Sequence, residues 1–224
     1  MTVVAPDAER SAVGHAITTI TPLRVKEFRR GRRVMGYATN GTPADCVKLG
    51  VHTMFERPPD LVVSGINLGP NTATNVIYSG TVSAATEARI LGIPSIAISL
   101  DAHADPYWAY AAAVGRRVAL QVLEHGLPPK MLLNVNVPNL PRAEIKGIRV
   151  TRQGDSVYQQ RYELREDPRG QPYYWLAGSY QMRDEDPDTD AWALANGYVS
   201  VTPVTFDLTA HGQRQALAAW RWRV

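Results

Sequence analysis

The residues best suited to chemistry lie in one stretch, 60–91, which reads DLVVSGINLGPNTATNVIYSGTVSAATEARIL. Its loop is rich in glycine and in hydroxyl and amide side chains. It closes on Ser79, Gly80 and Thr81, directly before small and apolar residues that are typical of a helix. The free N–H groups of a first helical turn and the positive end of the helix dipole both favour an anion. The stretch therefore predicts a phosphate site.

A strand and a helix must position this loop. The run 61–63 is short, apolar and partly β-branched, which predicts a buried strand. The helix is predicted to follow Thr81 and to run to about Leu91. In an open α/β sheet, ligands lie at the carboxyl ends of the strands, and this loop follows one such end.

The neighbouring segments alternate between strand and helix patterns. Strands are predicted over 93–100 and 131–137, and a helix over 105–126. Three such alternations within about 100 residues predict a largely parallel α/β sheet with helices on both faces. Asn134 and Asn136 share one face of the strand over 131–137. They either reach the site or fill hydrogen bonds at a sheet edge, and the second role is favoured.

An earlier helix is predicted by its start signals. Thr42 suits an N-cap and Pro43 the first helical position, and the apolar stripe that follows, at 47, 51, 54 and 55, is expected to face the core. Before this helix, four arginines flank Gly31. They form either a phosphate clamp or a solvated hairpin turn, and the turn is favoured because water tolerates like charges at a turn tip.

The chain changes character after residue 150. Residues 1–150 are predicted to form the α/β core, and 151–224 a hairpin and oligomerisation segment with closing strands. Aromatic runs near 173–176 predict protruding hairpins that favour self-association, and 197–208 predicts a final strand pair. The acidic run 184–190 is either a cation site or a solvated loop; its proline and the lack of EF-hand spacing favour the loop.

The chain opens on a segment, 1–6, that has the features of a core strand. A strand of this kind normally follows an earlier β–α unit, so we expect that unit to be absent from the chain. Ser11, in the loop after this strand, is a further candidate site residue.

Composition excludes several function classes. The net charge of +3 over 224 residues is too weak and scattered for dedicated nucleic-acid binding. A single cysteine, Cys46, excludes an internal disulfide, fits a reducing compartment and is expected to be a small buried hydrophobe. No apolar run approaches the roughly 20 residues that cross a bilayer, so we expect a cytoplasmic protein without membrane contact.

The available ligand chemistry is that of neutral oxygen donors. Serine and asparagine oxygens near an anion loop suit Mg²⁺ or Mn²⁺. Neutral donors alone hold a divalent cation poorly, because a magnesium site usually includes a carboxylate. The site is therefore incomplete, and the missing part should be acidic.

Several segments in chain order resemble the SurE family (survival protein E). They are TVVAPD-x-x-x-S, GTPADCV, VVSGIN-x-G-x-N, IYSGTV-x-A-A-x-E and GYVSVTP-x-x-x-D-L-T, and they cover nearly the whole chain. The resemblance implies a metal-dependent phosphatase of nucleoside 5′- and 3′-monophosphates. It also implies a Rossmann-like core, a protruding hairpin and a homodimer or homotetramer formed through swapped C-terminal elements.

The resemblance assigns roles where the motifs match. In the family, the metal is held by two adjacent aspartates after the first strand, a serine and an asparagine; other loop residues contact the phosphate. The corresponding residues are Ser11 and Asn67 for the metal, Asn71, Ser79, Gly80 and Thr81 for the phosphate, and Gly41, Thr42 and Pro43 for the wall of the nucleotide pocket.

One departure from the family is large. The Asn-Asp-Asp-Gly motif that carries the aspartate pair is not present in the sequence. We therefore expect this chain to bind metal weakly and to hydrolyse phosphate monoesters poorly. A start site assigned too far downstream, a truncation and a natural loss of activity are the possible origins, and the first is favoured. The alternative function is a non-catalytic oligomer that binds a nucleotide or phosphate.

Overall fold

A computed structural model describes residues 1–222 of the chain. The strands are β1 (Val4–Pro6), β2 (Val25–Arg30), β3 (Arg33–Thr39), β4 (Val62–Leu68), β5 (Ser95–Asp101), β6 (Met131–Pro138), β7 (Gly147–Val150), β8 (Ser156–Glu166), β9 (Pro172–Met182) and β10 (Tyr198–Thr205). The helices are α1 (Pro43–Thr53), α2 (Gly80–Ile90), α3 (Trp108–His125), α4 (Asp190–Ala195) and α5 (Arg214–Ala218), and 3₁₀ turns lie at Ala73–Tyr78, Arg142–Glu144 and His211–Gln213.

The main sheet has five strands in the order β4-β5-β6-β10-β7. Strands β4, β5 and β6 are parallel, while β10 runs antiparallel to β6 and parallel to β7. The predicted α/β class with a mostly parallel sheet is confirmed. The prediction of a strand pair over 197–208 is wrong, because the segment is one strand that pairs with β6 on one side and β7 on the other.

A second sheet has the order β1-β3-β2. Strands β2 and β3 form an antiparallel hairpin whose turn includes Gly31 at a φ of 61°. The hairpin interpretation of the arginine-rich segment is therefore confirmed. Within residues 1–222, β1 pairs only with β3, and β4 pairs only with β5.

The core lies between α3 and the centre of the main sheet. Gly115 allows α3 to pack tightly on β5, since a Cβ there would come within 2.6 Å of the Ile98 Cδ1 atom. Apolar residues of β5, β6 and α3 fill this layer: Ile96, Ile98, Leu100, Val114, Val118, Val122, Val135 and Val137. Within residues 1–222, none of the helices combines the length and apolarity needed to span a membrane.

Two expectations about strand position are wrong. The run 61–63 does not form a fully buried strand: Val63 is 49% exposed, because β4 lies at the edge of the main sheet. Asn134 and Asn136 do not lie at a sheet edge; they are fully buried, because β6 lies between β5 and β10.

Strands β8 and β9 form a separate two-stranded sheet, in agreement with the predicted hairpin. Cross-strand pairing places Tyr162 opposite Leu176, and Leu164 opposite Tyr174. All four side chains are exposed. Since alternate residues of a strand share one face, these four form an apolar face of the hairpin.

The acidic run after the hairpin is paired with Arg152. The guanidinium lies 2.6 Å from Asp184, 3.0 Å from Asp186 and 3.0 Å from Asp188. The Arg152 side chain therefore already supplies the positive charge that these three carboxylates contact. This arrangement favours the loop interpretation over a metal site.

Candidate phosphate site

The N-terminus of α2 is the centre of the candidate site. Ser79 is the N-cap, and its hydroxyl accepts a hydrogen bond from the Val82 N–H at 3.1 Å. The Ser79 N–H itself donates to the Val76 carbonyl at 3.3 Å. Of the four N–H groups that a helix start leaves without intrahelical partners, those of Gly80 and Thr81 remain available within the described chain.

Gly80 is the point where three segments meet. A Cβ on Gly80 would lie 3.0 Å from the Pro43 Cγ atom, 3.5 Å from a Val13 methyl and 3.6 Å from the Arg10 carbonyl oxygen. The Gly14 N–H also donates to the Tyr78 carbonyl at 3.0 Å. The start of α2 is therefore packed against the Gly41–Pro43 turn and against the loop that carries Ser11.

The turn before α1 has the predicted local structure. Thr42 is the N-cap, its hydroxyl accepts from the Asp45 N–H, and the Asp45 carboxylate accepts from the Thr42 N–H at 2.9 Å. Asp45 also accepts two hydrogen bonds from Thr18. Burial raises the pKa of Asp45, but the bonds from Thr18 and Thr42 outweigh it, so the pKa is lowered overall. The carboxylate form thus ties the loop after Ser11 to α1.

Gly41 is required by this packing. A Cβ there would come within 2.7 Å of the Asp45 Cβ and 2.8 Å of a Leu23 methyl. Nearby, a cavity of about 340 Å³ is lined by Ile17, Thr18, Leu23, Asp45, Lys48 and Leu49, among others. Part of the lining lies on α1 and part on the segment 17–23 before the turn, and Gly41, Thr42 and Pro43 are not among the lining residues.

Ser11 and Asn67 lie on different elements. The Ser11 hydroxyl is exposed and donates to the Glu9 carboxylate at 2.6 Å. The Asn67 amide nitrogen donates to the carbonyls of Gly69 and Leu68, at 2.8 and 3.2 Å, so its side-chain oxygen is the atom left to coordinate. The structure does not join these two residues by a hydrogen bond.

Asn71 is held by hydrogen bonds with side chains of β5 and β6. Its amide nitrogen donates to the Ser99 hydroxyl at 2.7 Å. The Asn136 side chain accepts from the Asn71 N–H at 2.8 Å and donates to the Asn71 carbonyl at 3.1 Å. Asn134 donates to the same carbonyl at 2.8 Å. The two asparagines of β6 therefore fix the backbone of the candidate phosphate loop.

A buried carboxylate on α2 was not identified from the sequence. The Glu87 side chain is 4% exposed and accepts from Lys48 of α1 at 2.6 Å and contacts His15 at 2.8 Å. Burial raises the pKa of Glu87, but the hydrogen bonds from Lys48 and His15 lower it by more. This cluster fastens α2 to α1 and to the Ser11 loop. The only sequence signal for Glu87 is its place at the end of the motif IYSGTV-x-A-A-x-E.

The described residues supply only part of a divalent-cation site. Ser11 and Asn67 are neutral donors, whereas Mg²⁺ sites usually include a carboxylate. Across residues 1–222, no group of three or more His, Cys, Asp and Glu side chains is arranged to hold a metal. The residues present therefore do not fit a complete Mg²⁺ or Mn²⁺ site.

Cys46 is a structural residue. It is buried at the start of α1, and burial raises the pKa of its thiol to about 12. A thiol with this pKa is protonated at neutral pH and is a poor nucleophile.

The fold is an α/β fold in which the candidate phosphate loop follows β4 and leads to the capped start of α2. The family model of survival protein SurE matches residues 1–160, and the chain belongs to the SurE family. A protein described as 5′-nucleotidase SurE from Syntrophobacter fumaroxidans is 52% identical over 98% of this chain and 88% of its own length. The protein of the same description from Carboxydothermus hydrogenoformans is 49% identical over 98% and 84%. The crystal structure of the SurE protein from Aquifex aeolicus superposes with a TM-score of 0.83, at 45% identity, over 96% of this chain and 86% of that chain.

Proposed function

We propose that this chain acts as a 5′-nucleotidase, a phosphatase that takes nucleoside monophosphates. The observation that carries the proposal is the pair of available N–H groups at Gly80 and Thr81, which lies at a capped helix N-terminus. A phosphate dianion there gains both hydrogen bonds and the favourable helix dipole. The names of relatives about half identical to this chain support the same reaction class.

The remaining loop residues are assigned to substrate by the same proposal. Thr81 adds a hydroxyl beside its N–H, and Asn71 adds a side chain at the carboxyl edge of the sheet. The Gly41–Pro43 turn, packed against Gly80, borders the path from the phosphate to the rest of the nucleotide.

Metal binding is expected to be weak in this chain. We propose that Ser11 and Asn67 are the residues of this chain that would hold Mg²⁺ or Mn²⁺, and that they would do so weakly without the aspartate pair of the family motif. Hydrolysis is then slow, because the phosphate is bound by the helix start but charge stabilisation at the reacting centre is incomplete.

The test measures phosphate release from nucleoside 5′- and 3′-monophosphates in the presence of Mg²⁺ or Mn²⁺. This chain is compared with one extended at its N-terminus by a strand and an Asn-Asp-Asp-Gly segment. We expect slow release from the first and fast release from the second. Inactivity of both chains with every metal would overturn the phosphatase proposal. Equal rates would overturn the role assigned to the carboxylates.

The neutral donor set also supports a second candidate, a non-catalytic oligomer that binds a nucleotide or phosphate. Titration of this chain with inorganic phosphate separates the two proposals. Saturable phosphate binding without turnover of any monophosphate by either chain favours the binding function alone.

We further propose that the apolar face of the β8–β9 hairpin forms a homodimer or homotetramer contact. We also propose that the protein is cytoplasmic.

A further inference from the structure

Ala73 lies in a strained backbone conformation within the candidate phosphate loop. Its φ is 50°, in the left-handed region that alanine rarely adopts. The residue begins the 3₁₀ turn Ala73–Tyr78, which leads directly into the N-cap Ser79. A strained residue persists only where its surroundings fix it. Its orientation therefore sets the direction in which the chain approaches the start of α2.

Both backbone polar groups of Ala73 are bonded by the segment that forms the base of the β8–β9 hairpin. The Asp190 Oδ2 atom accepts from the Ala73 N–H at 2.9 Å. The Gln153 amide nitrogen donates to the Ala73 carbonyl at 2.9 Å. The next residue, Thr74, donates its hydroxyl to the Ser156 carbonyl at 2.9 Å. Three successive contacts thus join the phosphate loop to residues more than 75 positions away.

Asp190 is the residue that connects these parts. It is fully buried, at 0% exposure, and its Oδ1 atom accepts from the N–H groups of Gly154 and Ala191 at 2.9 and 2.8 Å. One oxygen of the carboxylate therefore holds the hairpin base and α4, and the other holds the phosphate loop. A buried carboxylate in this position must be satisfied by such donors to be tolerated.

We infer that Asp190 is a positioning residue that ties the phosphate loop to the base of the hairpin, so that phosphate affinity depends on the hairpin segment. The inference rests on the proposed phosphate site at Gly80 and Thr81. Asp190 does not contact the phosphate; it acts through Ala73 and the 3₁₀ turn that precedes the N-cap.

The variant Asp190→Asn tests the inference with little change in shape. Its side-chain oxygen can keep the bonds from Gly154 and Ala191, while its NH₂ group faces the Ala73 N–H, where two donors cannot bond. The first measurement is hydrogen exchange of the Ala73 amide. The second is the Kd for inorganic phosphate, and the third is the KM and kcat of this 224-residue chain for a nucleoside monophosphate.

We expect Ala73 exchange to speed up by about tenfold and the phosphate Kd to rise by about tenfold, as for the loss of one hydrogen bond to a charged group. KM should rise more than kcat falls, while hydrogen exchange in the core strands β5 and β6 stays unchanged.

The control Asp155→Asn removes a charge from an exposed side chain beside the hairpin base and should leave Ala73 exchange, phosphate Kd and the kinetic constants unchanged. A second variant, Gln153→Ala, should change exchange and Kd in the same direction by about threefold.

Unchanged Ala73 exchange and unchanged phosphate affinity in Asp190→Asn would overturn the inference. If the parent chain does not bind phosphate at all, the proposed phosphate site fails. The exchange measurement still decides whether Asp190 holds the loop, so the two failures are distinguishable.

Discussion

Gly80 and Pro43 are in such close contact that a methyl group on Gly80 would lie 3.0 Å from the Pro43 Cγ atom. The contact joins the start of α2 to the turn that begins α1, two segments that are 37 positions apart in the sequence. A larger residue at position 80 would therefore press against the candidate pocket wall where it meets the candidate phosphate site.

Replacing Gly80 by valine should separate these two segments. We expect the free energy of unfolding to fall by about 1–3 kcal/mol through overpacking, and the Kd for inorganic phosphate to rise, because the free N–H groups move. Chemical denaturation and calorimetric titration measure the two effects. Gly212→Ala is the control, since its added Cβ meets open space. Unchanged phosphate affinity in Gly80→Val would argue against a site at this helix start.

Two substitutions at Ser79 separate helix capping from phosphate binding. Ser79→Ala removes the cap to the Val82 N–H and should cost about 1 kcal/mol of stability. Ser79→Asp keeps a capping oxygen but adds a negative charge, so stability should be retained while phosphate affinity is lost. Urea unfolding and phosphate titration of both variants check this. Full phosphate affinity in Ser79→Asp would contradict the proposed site.

Glu87 should make the free energy of unfolding depend on pH in the acid range. Because its folded-state pKa is lowered, its stabilising effect is present above the unfolded value of about 4.3 and is lost as pH falls through the lower folded value. Glu87→Gln should therefore be less stable than the parent at pH 7, by on the order of 1–2 kcal/mol since Lys48 is partly exposed.

The measurement is unfolding free energy against pH from 7 down to about 3, a range that spans the carboxylate pKa values. Below the unfolded pKa the difference between the parent and Glu87→Gln should narrow. Glu124→Gln, an exposed carboxylate on α3, should match the parent throughout. A constant difference at every pH would show that the ionised form of Glu87 does not stabilise the fold.

The apolar face of the hairpin should be a contact between copies of the chain. Leu164→Lys places a charge among Tyr162, Tyr174 and Leu176, and should reduce the mass measured by light scattering. Leu120→Lys makes the same change at an exposed leucine of α3 and should leave the mass unchanged. A monomeric parent, or an unaltered mass in Leu164→Lys, would rule out this contact.

The sequence predicts features that depend on neighbours in the chain. The Thr42 cap, Pro43 at the first helical position and the α2 start all follow from local preferences, and the structure confirms these elements. The hairpin turn around Gly31 is a local feature of the same kind.

Features that depend on distant pairing could not be predicted. Asp190 reaches Ala73 across 117 positions, and the acidic run around it gave no sign that Arg152 would occupy it. The order of strands is equally nonlocal. An apolar run such as 61–63 has the same sequence pattern at the edge of a sheet as in its centre. The position of β6 is central only because β10, from much later in the chain, pairs with it.

Strands β1 and β4 lie at the edges of the three-stranded and the five-stranded sheet. Among residues 1–222, β1 has a partner only in β3 and β4 only in β5, so each presents a row of backbone donors and acceptors on its other side. On β4 that row is accompanied by the exposed side chains of Val63 and Leu68. Such edges are templates for pairing between molecules. Within residues 1–222, these two edges are therefore places where a strand of another molecule would add to the sheets.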